Sequence, residues 1–254
     1  MHFYVVKSRT IKIFLAIVLV AILLSVSIDG ATSAQVYFGY FARKVPIYCV
    51  DTDQKQVAIS FDAAWGADKT QGIMDILKEY DSGATFFLVG FWVNDYPDMA
   101  QKIAENGYEI GTHSNTHPDM AKLSKETIKN ELETSIAKIK EATGKEVSLF
   151  RAPFGSYNNN LLEVATDLGL KTIQWDVDSL DWKGLSANDI TARVMSKVKN
   201  GSIILMHNNS DNILDALRLI LNRLQVAGYK VTSISDLIHK ENYTIDRNGV
   251  QHKN

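Results

Sequence analysis

Val57-Ala58-Ile59-Ser60-Phe61-Asp62-Ala63-Ala64-Trp65-Gly66 is the stretch on which the fold turns. A short, largely apolar run ends in an aspartate, and a helical pattern follows from about residue 70. Such a run, bounded by turn residues, reads as a buried strand of a parallel sheet. The arrangement recurs along the chain. Further runs lie at 85–89, 108–112, 148–151, 171–175, 202–206 and 230–233, and helical stretches near 70–80, 96–106, 124–143, 160–168, 187–199 and 213–227 alternate with them. Seven strands alternating with helices predict an α/β fold of βαβ units, in which an open sheet and a closed barrel are both admissible. Asp62-Ala63-Ala64-Trp65-Gly66 is not a glycine-rich phosphate loop, so a nucleotide-binding Rossmann domain is disfavoured.

The helix ends support this division. Ser124 and Ser186 are good N-caps, the latter with Asp189 three residues on. Gly107, Gly144, Gly169 and Gly228 sit where helices should stop. Ile128, Leu132, Ile136 and Ile139 give the third long helix one apolar stripe.

The chain has 254 residues, 46% of them hydrophobic, enough for one sizeable core. A net charge of −2 provides no basic field to draw in nucleic acid. The single cysteine, Cys49, has no disulfide partner and reads as a small buried apolar residue. At the N-terminus, Lys7, Arg9 and Lys12 precede an apolar run of 16 residues from Ile13 to Ile28. That run is shorter than the ~20 residues that span a bilayer comfortably. A basic flank before an apolar core is the layout of an export signal. Thr32-Ser33-Ala34 offers a small-residue cleavage site. Residues 1–34 are therefore expected to be either a cleaved signal peptide or a membrane anchor, a hydrophobic helix preceding the domain. Both readings export the rest. Residues 35–56 form a lead-in strand or linker, 57–240 the domain, and 241–254 a polar tail expected to fray.

In a parallel α/β barrel, chemistry collects at the C-terminal ends of the strands. Here those ends carry Asp62; His113 and His117; Arg151; Asp176, Asp178, Asp181 and Trp182; and His207. Five of the seven runs deliver polar or ionisable groups to one end, where random placement would scatter them. Histidines four apart share one face if they lie on a helical turn, and can then bind one metal ion. The glutamate of a zincin motif is missing after His113, which disfavours a zincin-type protease.

Together these residues resemble the polysaccharide deacetylase family (NodB homology domain, carbohydrate esterase family 4) over about residues 55–240. The marks are Ser60-Phe61-Asp62, His113-Ser114-Asn115-Thr116-His117, Arg151-Ala152-Pro153-Phe154-Gly155, Asp178-Ser179-Leu180-Asp181-Trp182 and Leu205-Met206-His207. The resemblance implies a distorted (β/α)7 barrel and N-deacetylation of an amino sugar. It makes Asp62 the base, Arg151 the residue holding it, His207 the acid and Asp181 the carboxylate orienting that acid, with Asp178 the alternative. His113 and His117 would hold a divalent metal, zinc first. Trp182 and Leu205 would wall the acyl methyl group, although core packing explains them equally well, and the amide near Phe154 would face the oxyanion. The leader and the length resemble sporulation-associated members, so the expected partner is peptidoglycan or a related spore-wall glycan, and the membrane as well if the leader is retained.

The chain departs from this family at one position that matters. The family's second aspartate, the third metal ligand, is Ala63 here, and a methyl group cannot coordinate. Three outcomes are open: a weakly held metal with water in the gap, recruitment of Asp62 or Asp68, or a glycan-binding wall protein without turnover. A small-molecule amidohydrolase is a further reading, disfavoured by export.

Overall fold

The computed structural model describes residues 13–15, 17–18 and 43–254. The chain separates into two units, Met1–Arg43 and Lys44–Asn254. In the first, residues 13–15 and 17–18 are helical. The expected cleavage site and most of the leader lie outside the described residues. Among the described residues no helix is long and apolar enough to cross a membrane.

The second unit alternates strands and helices. In chain order it runs β1 (Cys49–Val50), β2 (Gln56–Ala63), α1 (Thr70–Glu79), β3 (Thr85–Leu88), α2 (Gly90–Asp95), α3 (Pro97–Glu105), β4 (Glu109–Thr112), α4 (Lys125–Thr143) and β5 (Leu149–Phe150). It continues with α5 (Asn159–Asp167), β6 (Lys171–Thr172), β7 (Val177–Asp178), α6 (Ala187–Met195), β8 (Ile203–His207), α7 (Ile213–Val226), β9 (Lys230–Thr232), α8 (Ile234–Leu237), β10 (Tyr243–Ile245) and β11 (Val250–Lys253). The main sheet has the order β6-β5-β4-β3-β2-β8-β7, every pairing parallel, and β9 adds to the first half of β2. It is a curled half-barrel with helices, consistent with the (β/α)7 fold. All seven expected strands are present. The eighth, β7, is a two-residue strand inside an aspartate-rich run that carries no strand signal.

β2 is central because it is buried along nearly its whole length and pairs with β3, β8 and β9. The helices pack their apolar stripes on the sheet. In α4, Ile128, Leu132 and Ile139 are buried, Ser124 caps the start through the Thr127 amide, and Gly144 ends the helix in the left-handed conformation.

The expected frayed tail is a correction. β10 and β11 form an antiparallel pair, and β11 adds in parallel to β1, so 243–253 belong to a three-stranded sheet. Gln251 anchors it: its side chain is buried and exchanges two hydrogen bonds with the backbone of His239, each 2.8 Å. Polar composition concealed this because the pairing partner is some 200 residues away in sequence.

β1 and β8 meet at Gly201. Its φ is +77°, and a Cβ there would stand 1.8 Å from the Val50 carbonyl oxygen. Gly201→Ala is therefore expected to destabilise the fold by well over ~1 kcal/mol, the usual scale for glycine substitution at a compatible site, measured by chemical denaturation.

Candidate functional site

Asp62 is the penultimate residue of β2 and lies in register with His207 at the end of β8. The parallel register thus sets Asp62 and His207 side by side. Arg151, just past β5, is completely buried. Its Nη1 donates to Asp62 Oδ1 at 2.8 Å and its Nη2 to the Gln174 carbonyl at 3.2 Å. The guanidinium lies over the Phe87 ring, 4.2 Å from the centroid, with Trp175 at 5.6 Å. Burial alone would penalise the Asp62 carboxylate. Arg151 first, then His113 and His207, outweigh it, and its pKa falls below the ordinary 3.8.

His113 ends the β4 side of the site. Its Nδ1 is 2.8 Å from the Arg151 carbonyl oxygen, a bond that only an Nδ1–H can make. Nε2 is thereby left as the lone-pair nitrogen, 3.4 Å from Asp62 Oδ2. Burial lowers the pKa of His113 against the pull of Asp62, so the ring is neutral at pH 7 and this contact is not an ion pair. Burial and His113 push His117 down to about 4. The two rings are 5.0 Å apart.

The helical turn expected for 113–117 is absent. The segment is a loop in which both Ser114 (φ 70°) and His117 (φ 57°) are left-handed. Its shape is imposed by Glu131 of α4, a carboxylate on that helix's buried face. Glu131 accepts from the amides of Asn115 (2.9 Å) and Thr116 (2.8 Å) and from the Thr116 hydroxyl (2.7 Å). The Ser114 hydroxyl accepts from the His117 amide at 2.9 Å. Sequence reading missed Glu131, and its signal was an acid at the buried spacing between Ile128, Leu132 and Ser135.

His207 is bound twice by Asp181, which accepts from its amide and its Nδ1, each at 2.7 Å. Burial would lower the pKa of His207, but the hydrogen bond and charge of Asp181 prevail and raise it above 6.5. Asp178 instead shapes the loop, accepting from the Leu180 amide at 2.9 Å. Phe154 has φ 61° and sets its ring edge-on to His117, 4.7 Å between centroids. Leu205 is buried in β8, in register with Ser60 and Asp178. Trp182 is 59% exposed, with the Lys183 ammonium 5.1 Å from its ring centroid. Four of the six non-glycine residues with positive φ among the described residues, Ser114, His117, Phe154 and Leu180, lie in these loops, so backbone strain is concentrated at the site.

The donors fit a divalent cation through two imidazoles, both neutral and one with its tautomer fixed by a backbone carbonyl. A third protein ligand is another matter. Ala63 is wholly buried, and among the described residues no group of three His, Cys, Asp or Glu side chains could hold a metal ion, Asp62 and Asp68 included.

The family model for polysaccharide deacetylase matches residues 50–173. A peptidoglycan-N-acetylglucosamine deacetylase of Bacillus cereus is 32% identical over 189 residues, 73% of this chain and 69% of that protein. The chain belongs to the polysaccharide deacetylases of carbohydrate esterase family 4. This is a family of hydrolases acting on amide bonds, peptidoglycan N-deacetylases among them. The chain is also 34% identical over 193 residues to the uncharacterised YlxY of Bacillus subtilis, and spans 60% of that protein's length. Among solved structures, BA3943 of Bacillus anthracis, described as a family 4 pseudoenzyme, superposes with a TM-score of 0.74 at 37% identity, covering 76% of this chain and 68% of that one. A BA3943 mutant described as having restored enzymatic activity matches at 38% identity, with a TM-score of 0.74, over 76% of this chain and 71% of that one.

The pKa of His207 is raised on folding, so its contribution to stability is complete below 6.5 and is lost as pH rises through the folded value. In Asp181→Asn, NMR titration of the His207 ring should move to lower pH, and the stability difference from wild type should be largest below 6.5 and shrink above it. Glu131→Ala strands two loop amides and a hydroxyl. It should cost about 1–3 kcal/mol and speed hydrogen exchange at Asn115 and Thr116 while leaving the core strands protected.

Proposed function

We propose that this chain is an exported N-deacetylase of wall glycan, hydrolysing the acetamido group of an amino sugar in a peptidoglycan-type polymer. One observation carries the reading: Asp62 and His207, side by side at the ends of adjacent strands, are biased by their partners toward opposite protonation states. Arg151 lowers the Asp62 pKa and so favours the ionised carboxylate that a base must be, and Asp181 raises the His207 pKa and so favours the protonated ring that an acid must be. Pairs pushed apart in this way mark acid and base assignments.

In this reading Asp62 takes a proton from the attacking water. Arg151 fixes the carboxylate and keeps it from protonating between turnovers. His207 has Nδ1 committed to Asp181, so Nε2 delivers the proton to the departing amine. His113 and His117 would hold a divalent metal, zinc first, which when bound supplies a Lewis acid for the acyl oxygen and the water. Trp182 and Leu205 would flank the acyl methyl group and the Phe154 amide the oxyanion. The basic and apolar layout of residues 7–28 supports export to the wall, through a cleaved signal or a retained membrane anchor. A spore-wall role rests on resemblance to sporulation-associated members.

A second reading, glycan binding without turnover, is favoured by the buried methyl of Ala63 and by the likeness to the BA3943 pseudoenzyme.

Acetate release from purified wall glycan, with and without zinc or cobalt, separates the two. The proposal expects release that rises with added metal and stops on chelation. Glycan binding with no acetate under any metal supply establishes the second reading. Ala63→Asp should tighten zinc binding by about tenfold or more, roughly one added ligand's worth of 1.4 kcal/mol, as measured by competition with a chelating dye. Unchanged affinity would mean that another group already serves as third ligand.

A further inference from the structure

Six large hydrophobic side chains of residues 44–254 are exposed: Trp65, Tyr96, Phe154, Trp182, Leu219 and Val226. Half of them, Trp65, Phe154 and Trp182, stand on the loops leaving β2, β5 and β7, the loops around the acid and base. Trp65 is the one of the three that sequence reading did not single out, and its indole is 58% exposed. It meets the His117 ring at 5.0 Å in a T-shaped contact and is braced by Phe91 at 6.4 Å.

The loop that carries Trp65 is held in place by side chains from two other elements. The Gly66 carbonyl accepts from the Trp92 indole N–H at 2.7 Å and from the Asn208 amide at 2.8 Å. Gly66 itself is left-handed, with φ 63°. An indole kept in solvent by a turn of this kind forgoes burial of a large apolar surface.

We propose that Trp65 is a stacking platform for a pyranose ring of the glycan, one outside the sugar whose acetamide reacts. The inference rests on the glycan reading above and names where the polymer is gripped. A β-linked hexosamine presents a face of C–H bonds and a rim of hydroxyls. A single exposed indole in contact with the His117 imidazole matches both, whereas a lipid or a protein partner would need a broader apolar surface. Continuity with the reactive groups supports the placement, because Trp65 is in ring contact with His117, and His117 with His113. On this placement a monosaccharide in the reactive position would leave Trp65 uncovered, so the platform would confer preference for polymer.

The test is calorimetric titration of the full chain in detergent, with chelator present so that nothing turns over. The probes are the β-1,4-linked tetramer of N-acetylglucosamine and the monomer. Trp65→Ala should weaken tetramer binding about tenfold, the scale of one lost aromatic contact, with the monomer unchanged, and Trp65→Phe should recover most of the loss. Unchanged tetramer affinity in Trp65→Ala overturns the platform while the glycan reading stands. An equal loss for monomer and tetramer also overturns it, by tracing the effect to the reactive sugar's position. Absence of tetramer binding in the wild type overturns both.

Discussion

A completely buried guanidinium must be neutralised where it lies, and the Arg151–Asp62 pair is the constraint around which the site is organised. Three ladder steps separate β5 from β2 in the sheet order. At a strand spacing of about 4.8 Å, a flat sheet would put these strand ends roughly 14 Å apart, beyond the combined reach of the two side chains. The 2.8 Å bond therefore exists only because the sheet curls. Curling in turn brings the loops after β4, β5 and β8 over one mouth. Desolvating both charges is costly; Gln174, Phe87 and Trp175 supply further contacts to the guanidinium, while its Nε is buried without a hydrogen-bond partner.

Three histidines share this mouth, and their surroundings shift their pKa values in opposite directions. His113 and His117 lose hydration without gaining an adequate anionic partner. His113 faces Asp62, but that carboxylate is already committed to Arg151. Both rings are therefore neutral, the form that ligates metal. His207 loses hydration too, yet receives the whole carboxylate of Asp181, a partner bound to nothing stronger. The difference lies in which aspartate each histidine meets and how that aspartate is already occupied.

Much of this was legible in the sequence because strand ends are read locally. An apolar run followed at once by Asp62, His113, Arg151 or His207 needs no knowledge of distant partners, and all four groups converge. What was not legible depended on distant or irregular structure. The 113–117 segment resembled a helical turn by spacing, but Glu131, fourteen residues beyond His117, bonds its amides and holds it in a loop with two left-handed residues. β7 is too short to show a period. β10 and β11 are polar, and β11 joins them to β1, a strand from the other end of the domain. Trp65 carried no local mark separating a core aromatic from one held in solvent, since that depends on Trp92 and Asn208 closing on Gly66.

Ala63 acquires its meaning from the same packing. It belongs to an apolar cluster with Leu88, Val89 and Trp92, and its carbonyl accepts from the Val89 amide. A carboxylate at this position without a cation would be buried beside Asp62, which Arg151 alone already compensates. A chain carrying that second aspartate would pay for its metal site in stability whenever the metal was absent, so folding and metal binding would be coupled. With alanine that penalty is absent. Asp62 has Arg151 and His207 has Asp181 as partners within the protein, and His113 and His117 rest neutral, so these contacts need no cation to complete them. A cation held by His113 and His117 would still stabilise the folded chain by mass action, but the fold would not depend on it.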